Sequence, residues 1–428
     1  MNEMLQVHLK LSSECNGICE ILEFLGSGTQ GEVYRVRAQT SNNECALKWY
    51  FPQNATKHQK KLLKKLIAAG APDPSFLWPF DLVSDQNGNF GYLMPLREKN
   101  YYSINDMMRR IAEPSFQTLC RAGYQLAECF DKLHVCGFSY RDISFGNVYI
   151  DPITGNIRIG DNDNVAPNDL TESGVSGTPR FMAPEVVTGE APPSRWTDLF
   201  SLAVLLFYMF FLGHPLDGAK EASIHCLDVL AMKKLYGEEP VFVYDPSNAS
   251  NRPVRGYHDN VIVYWNKVYP AFLKNLFLQS FTDGLTCPEA RVTERQWMNC
   301  FAWLSASLFH CPHCNAEIFV REQRNACWCC GKWVASPMRI ELKGGSFAVK
   351  PDAELLSHHV KHDYKANVIG TILRNPTSPE IMGLRNDSEQ QWTYVRSDGS
   401  SVVIPPGRSG ALRPGVTFSL GQVTATVK

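Results

Sequence analysis

The chain has 428 residues, 44% of them hydrophobic, and a formal net charge of −1 at neutral pH. That length accommodates two or three domains with ordinary cores, and the balanced charge exerts no overall pull on nucleic acid or an anionic membrane. The amino terminus carries an early Glu3 and no apolar stretch, and the longest apolar run, Leu199–Leu212, falls short of the roughly 20 residues that span a bilayer, so a cytoplasmic protein without a signal peptide is expected.

Residues 1–19 read as an irregular lead-in. From Ile21 to Tyr50 the pattern is strand-like, with ILEFL running into a glycine-rich turn, then EVYRVRA, then CALKWY. Residues 56–69 have helical spacing, with Leu62, Leu63, Leu66 and Ile67 on one face and Lys57, Lys60, Lys61, Lys64 and Lys65 on another. Phe116, Leu119, Gly123, Leu126, Phe130 and Leu133 mark a second amphipathic helix that ends near Cys136-Gly137. The most apolar helix is predicted at 198–212, followed by a loop-rich segment, 213–268, and renewed helical patterning over 269–304. Residues 336–428 turn to Gly, Pro, Ser, Thr and Val, with alternating runs such as SSVVI and VTATV, which predicts a small all-β domain.

Several clusters carry chemistry. Gly26-Ser27-Gly28-Thr29-Gln30-Gly31-Glu32-Val33 is G-x-G-x-x-G-x-V. Dinucleotide-binding folds use a similar spacing to open a helix, but here an alternating strand follows, which suits a hairpin flap over phosphates. A plain hairpin turn is the competing reading. Lys48 lies within an apolar strand, and an inward ammonium needs an anion, which a phosphate would supply. The alternative is an edge lysine that reaches solvent. Further on come Tyr140-Arg141-Asp142-Ile143-Ser144-Phe145-Gly146-Asn147, then a short strand ending in Asp161, then Ala183-Pro184-Glu185.

Of the 14 cysteines, five fall between Cys311 and Cys330. Cys311-Pro312-His313-Cys314, twelve residues, and Cys327-Trp328-Cys329-Cys330 form two turns able to set Cys311, Cys314, Cys327 and Cys330 tetrahedrally around a structural Zn²⁺. A redox C-x-x-C pair is the alternative. Cys329 is surplus, and His313 is expected to be exposed.

Taken in order, the glycine loop, Lys48, Arg141-Asp142 with Asn147, Asp161 and Ala183-Pro184-Glu185 resemble the eukaryotic-type (Hanks-type) protein kinase family over residues 20–305. The resemblance implies an α+β, two-lobed protein-kinase fold. ATP would be bound by Gly26, Ser27, Gly28, Gly31, Val33 and Lys48, with Asp142 as catalytic base and Asn147 and Asp161 holding Mg²⁺ or Mn²⁺. It implies transfer of the γ-phosphate to Ser/Thr hydroxyls of a protein, a Glu185–Arg291 pair, and an Asp198 that braces the catalytic loop. Thr171, Ser173, Ser176 and Thr178 are candidate phosphosites, with Arg141 available to pair with a phosphate there, and Thr178 alternatively faces the substrate site as a structural threonine.

FLWPFDLV, RFMAPEV and WTDLFSLAVLLFY, with a zinc ribbon at 308–335, are similar to a bacterial group encoded beside a von Willebrand A-type (vWA) protein and a PP2C-like phosphatase in tellurite-resistance-type clusters. Those two are therefore expected partners, with no membrane or nucleic acid. The 336–428 domain resembles a forkhead-associated (FHA) sandwich but lacks clear Gly-Arg and Ser-x-x-His elements, so it reads as an interaction module.

The chain departs from the kinase pattern at several positions. Tyr140 replaces the usual histidine and Ser144 a lysine, and the D-F-G triplet reads Asp161-Asn162-Asp163. Gln59 stands where a helix glutamate would pair with Lys48, and no acidic residue occurs between Lys48 and Asp73. Gln59 is expected to accept a weaker, neutral hydrogen bond from Lys48, which would then lean on nucleotide for its orientation. Asp163 adds a second carboxylate beside Asp161 that either binds metal too or fixes the loop, and the second reading is the one taken. A nucleotide-binding pseudokinase scaffold is the alternative to an active kinase.

Overall fold

Alternating apolar residues over the first ninety positions build a barrel. The computed structural model describes residues 4–39, 42–168, 177–320, 325–361 and 367–428. Strands β1 (Lys10–Ser13), β2 (Ile18–Ser27), β3 (Gly31–Ala38), β4 (Glu44–Tyr50), β5 (Asp81–Ser84) and β6 (Phe90–Met94) close in the order β1-β2-β3-β4-β6-β5. Residues 1–19 are therefore not all irregular. Within them β1 pairs with both β2 and β5, which removes the open edge that a five-stranded sheet would leave. Inward residues such as Ile21, Tyr34, Val36, Leu47 and Leu93 are fully buried.

Helix α1 (Lys57–Ala69) packs on this barrel. Thr56 caps it by accepting from the Gln59 amide, Leu63 and Leu66 are buried, and four of its five lysines, all but the half-buried Lys60, are exposed. The apolar stripe thus faces the sheet and the charged stripe faces water.

The second lobe gathers around two long helices. The helix Phe116–Val135 is capped by Ser115 and ends at Cys136, with Gly137 turning the chain at φ 82°. A Cβ at Gly123 would lie 2.9 Å from the Phe301 ring, so glycine there lets this helix approach the helix Glu294–Ala306. The predicted 198–212 helix runs from Arg195 to Phe211, beginning earlier because Ser194 and Thr197 form a capping box. Every residue from Thr197 to Phe211 in it is buried, as an all-round apolar helix requires. Segment 213–268 contains short helices, including two π-turns at Lys234–Glu238 and Tyr264–Val268. The lobes are stitched at a parallel bridge, Phe76 to Ile159, flanked by Leu77 N to Ile159 O (2.8 Å) and Ile159 N to Ser75 O (2.9 Å). This is the two-lobed α+β architecture that the kinase resemblance implies.

Two small hairpins follow, Leu308–His310 with Glu317–Phe319 and Asn325–Ala326 with Trp333–Val334. Both are tied to the large lobe. Glu317 accepts the amide of Phe116 at 2.5 Å at the start of the long helix, and Trp328 packs edge-on against Phe116. The remaining chain forms a six-stranded and a four-stranded antiparallel sheet around one core that includes Ile340, Leu384, Trp392 and Phe418. This sandwich docks on the helix Glu294–Ala306, where Trp303 joins its core and His358 contacts Asn299 at 2.8 Å. No helix among the described residues is long and apolar enough to cross a membrane.

Candidate functional site

The two lobes face each other across residues from five segments. Strand β4 carries Lys48, which is 6% exposed, and its ammonium donates to Asp163 (2.9 Å), Asp161 (3.2 Å) and the Gln30 side-chain Oε1 (3.1 Å). Burial would lower the Lys48 pKa, but the charges of Asp163 and then Asp161 outweigh it and hold the group above its ordinary value. Gln30, from the glycine-rich turn, also donates to Asn164 (3.0 Å), so the turn is tied down across the cleft. At Gly31 a Cβ would collide with the Trp49 carbonyl, which leaves glycine as the residue that fits there.

The segment 140–147 is held from below by Asp198, 2% exposed, which accepts the amides of Tyr140 (2.6 Å) and Arg141 (2.9 Å). That is the bracing the kinase resemblance implies. Tyr140 fills the usual histidine position by donating its hydroxyl to the Gly160 carbonyl, which links this loop to the residue before Asp161. Asp142 accepts from Thr178 Oγ1 at 2.6 Å, and Asn147 donates to the Asp142 carbonyl at 2.8 Å and to its carboxylate at 3.3 Å. Burial raises the Asp142 pKa, the Thr178 hydrogen bond pulls it back, and the Asp161 charge adds to the rise. Asp161 is a left-handed residue (φ 44°) whose side chain is 45% exposed.

Asp142, Asn147, Asp161 and Lys48 thus converge on one cleft, with Gly26, Ser27, Gly28, Gly31 and Val33 on the β2–β3 hairpin above it. Of the candidate phosphosites, Thr178 lies beside Asp142, whereas Thr171, Ser173 and Ser176 lie outside the described residues. Glu185 and Arg291 form a bidentate pair at 2.8 Å for both contacts.

Three expectations change. Gln59 does not accept from Lys48. Its amide nitrogen donates instead to Tyr50 Oη (3.1 Å) and the Asp163 carbonyl (2.9 Å), because Asp163 already occupies the ammonium. Lys48 is therefore held within the protein by Asp163 and Asp161. Arg141 is buried and donates to Ser139 Oγ (3.1 Å) and the Pro167 carbonyl (3.0 Å), so its guanidinium is already engaged. The residue reading missed Tyr50, Tyr92, Gln30 and Asn164. Tyr50 left a signal, sitting two positions from Lys48 and so on the same strand face, and Gln30 lay inside the glycine-rich motif.

A second constellation lies behind the large lobe. The Sγ atoms of Cys311, Cys314, Cys327 and Cys330 all lie within 4.8 Å of one another, with Cys311–Cys330 at 3.9 Å and Cys314–Cys327 at 3.6 Å. Tetrahedral Zn–S bonds of about 2.3 Å place sulfurs roughly 3.8 Å apart, so the spacing suits that metal. The two knuckles match. Asn315 (φ 61°) and Gly331 (φ 71°) each follow the second cysteine and donate back to the first, to the Cys311 and Cys327 carbonyls at 2.9 Å. Burial pushes the Cys311 thiol up, but the amides of His313 and Cys314 outweigh it and bring it down to about 7. Cys329 and His313 are exposed and outside the cluster.

A family model described as the protein kinase domain matches residues 19–252, more than half of the chain. Among curated relatives, the DNA damage-responsive serine/threonine-protein kinase RqkA of Deinococcus radiodurans is 29% identical over 215 residues, 49% of this chain and 32% of that protein. Protein kinase C-like 1 of Candida albicans is 29% identical over 217 residues, 48% of this chain and 19% of that protein. The serine/threonine-protein kinase PknD of Chlamydia abortus is 24% identical over 238 residues, 48% of this chain and 25% of that protein. The chain spans about a third or less of the length of these relatives. With the cleft residues arranged in this order between two lobes and the family match covering most of both, the chain belongs to the protein kinase domain family.

Proposed function

We propose that the chain is an ATP-dependent protein kinase acting on Ser or Thr hydroxyls. The observation that carries this reading is the meeting of Lys48, Asp142, Asn147 and Asp161 in one cleft, with Asp142 held by Thr178 and Asn147. Asp142 orients the acceptor hydroxyl and takes its proton as the oxygen attacks the γ-phosphorus. The bond to the bridging oxygen breaks and ADP leaves. Lys48 grips phosphate oxygens, and the backbone amides of the Gly26–Gly31 turn cover them. Asn147 commits its amide nitrogen to Asp142, which leaves its oxygen, with the half-exposed Asp161 carboxylate, to hold Mg²⁺ or Mn²⁺. Such a metal neutralises charge developing on the phosphates.

The four-cysteine cluster holds a structural Zn²⁺ in a zinc ribbon, since four thiolates leave no open position. The C-terminal sandwich serves as an FHA-like interaction module in this reading. The chain works in the cytoplasm, with a PP2C-like phosphatase and a vWA-domain protein as partners, by resemblance to the bacterial subgroup described above.

The test is intact-mass measurement of autophosphorylation with ATP and Mg²⁺ or Mn²⁺, beside Asp142→Asn. Mass gains in steps of one phosphate, absent in the variant, support the kinase. ATP binding with no transfer to itself or to added partners favours the scaffold alternative.

A further inference from the structure

Lys48 meets a carboxylate from an unexpected direction. Helix α1, the element that follows Lys48, contains no acidic residue, and its inward polar side chain, Gln59, presents a donor to Asp163 and Tyr50 rather than an acceptor to Lys48. An ammonium that is only 6% exposed cannot stay unpaired at that depth without a large desolvation cost.

The partner is Asp163, two residues beyond Asp161 and itself fully buried. Its Oδ1 accepts from Lys48 at 2.9 Å and from the Tyr92 hydroxyl at 3.0 Å, and its Oδ2 accepts from the Tyr50 hydroxyl at 2.6 Å. Strand register explains the convergence. Tyr92 on β6 sits directly across from Lys48, and Tyr50 is two residues along β4, so all three point from one sheet face. Both carboxylate oxygens are filled from within the protein. Asp161, at 3.2 Å from Lys48 and 45% exposed, faces the cleft instead.

We propose that Asp163 is the positioning residue for Lys48, supplying through a Tyr50–Tyr92 clamp the carboxylate that helix α1 lacks. This rests on the reading of the cleft as a phosphoryl-transfer site. The two carboxylates divide the work, with Asp163 aiming the ammonium and Asp161 left for metal. Helix α1 then influences Lys48 through Gln59, which donates to the Asp163 carbonyl and to the clamping Tyr50 hydroxyl.

The experiment uses the full chain with Asp163→Asn, Lys48→Met, the double variant and Tyr50→Phe. It reads affinity for a fluorescent ATP analogue with Mg²⁺, kcat and KM for ATP in autophosphorylation, and the circular dichroism spectrum. Losing a charge-assisted bond predicts that Asp163→Asn stays folded, weakens analogue binding, raises KM for ATP and lowers kcat/KM by about 10- to 100-fold. It adds little to Lys48→Met in the double variant, because residues acting as a unit are not additive. Tyr50→Phe gives a smaller shift in the same direction, and this arm decides if Asp163→Asn does not fold. A purely structural role would reduce the active fraction, so kcat would fall with KM for ATP unchanged. That result, wild-type behaviour of folded Asp163→Asn, or fully additive losses overturns the proposal. If the unmodified chain binds the analogue but transfers nothing, the kinase reading fails, and the binding arm alone decides the proposal by the same non-additivity.

Discussion

His134 is the most informative single residue for the stability of the catalytic loop. It is 2% exposed and lies between two carboxylates, with Nε2 3.0 Å from Asp198 and Nδ1 on Glu294. Asp198 is the same residue that holds the amides of Tyr140 and Arg141. Burial pulls the His134 pKa down, but the hydrogen bonds it donates to Asp198 and Glu294, followed by their charges, raise it from 6.5 to about 9. That rise corresponds to about 3 kcal/mol of extra proton affinity in the folded state. The folded value lies above the unfolded one, so the contribution is complete below about pH 6.5 and is lost as the pH climbs through about 9. The perturbation is His134→Gln, which cannot titrate. Urea unfolding followed by tryptophan fluorescence is run on both proteins between about pH 6 and about pH 9.5. The variant is expected to be less stable by about 3–5 kcal/mol at the acid end, since it leaves two buried carboxylates without a cation. The gap is expected to shrink by about 3 kcal/mol toward the alkaline end. Groups that titrate in both proteins, such as Cys311, cancel in this difference. Parallel stability curves across the whole window would refute the argument.

Three further outcomes are expected. Arg291→Ala removes a buried guanidinium that pairs with Glu185 and also holds the Gly284 and Trp196 carbonyls, and it is expected to cost about 3–5 kcal/mol in denaturant unfolding. Purified protein is expected to release one zinc per chain to a colorimetric chelator after thiol blocking; Cys314→Ser loses that metal and Cys329→Ser keeps it, and because Glu317 caps the Phe116 helix, metal loss also lowers the melting temperature of the large lobe. Gly31→Ala is expected to weaken ATP binding measured by calorimetry while the chain stays folded, because the added methyl meets the Trp49 carbonyl and pushes the glycine-rich turn off the cleft.

Much of the site was legible because its elements are local. Gly26–Val33, Lys48, Asp142 to Asn147 and Asp161 announce themselves through short spacings, each set by one turn or one strand end. The amphipathic helices were legible for the same reason, and the Phe116–Val135 helix begins at the first residue of the apolar pattern and stops one residue before Cys136. Boundaries shifted where capping decided them, as at Ser194, whose box with Thr197 starts the apolar helix three residues early. The first strand was not legible, since KLSS is too short and polar to signal a strand until pairing with β2 and β5 makes it one.

What the sequence determined by itself was the ordered set of kinase motifs, the two cysteine knuckles and the change to β-rich chain after residue 336, because each depends on neighbours a few residues apart. It also showed that no acidic residue stands on the helix after Lys48. What replaces it emerges from contacts between distant segments. Asp163 lies 115 residues from Lys48 along the chain, and Tyr92 lies 71 residues from Asp163. Their meeting depends on how β4, β6 and the loop after Asp161 close on one another. Spacing along a chain carries no information about such a contact, since the energy that selects it is the cost of leaving a buried ammonium unpaired, and burial exists only once both lobes are in place.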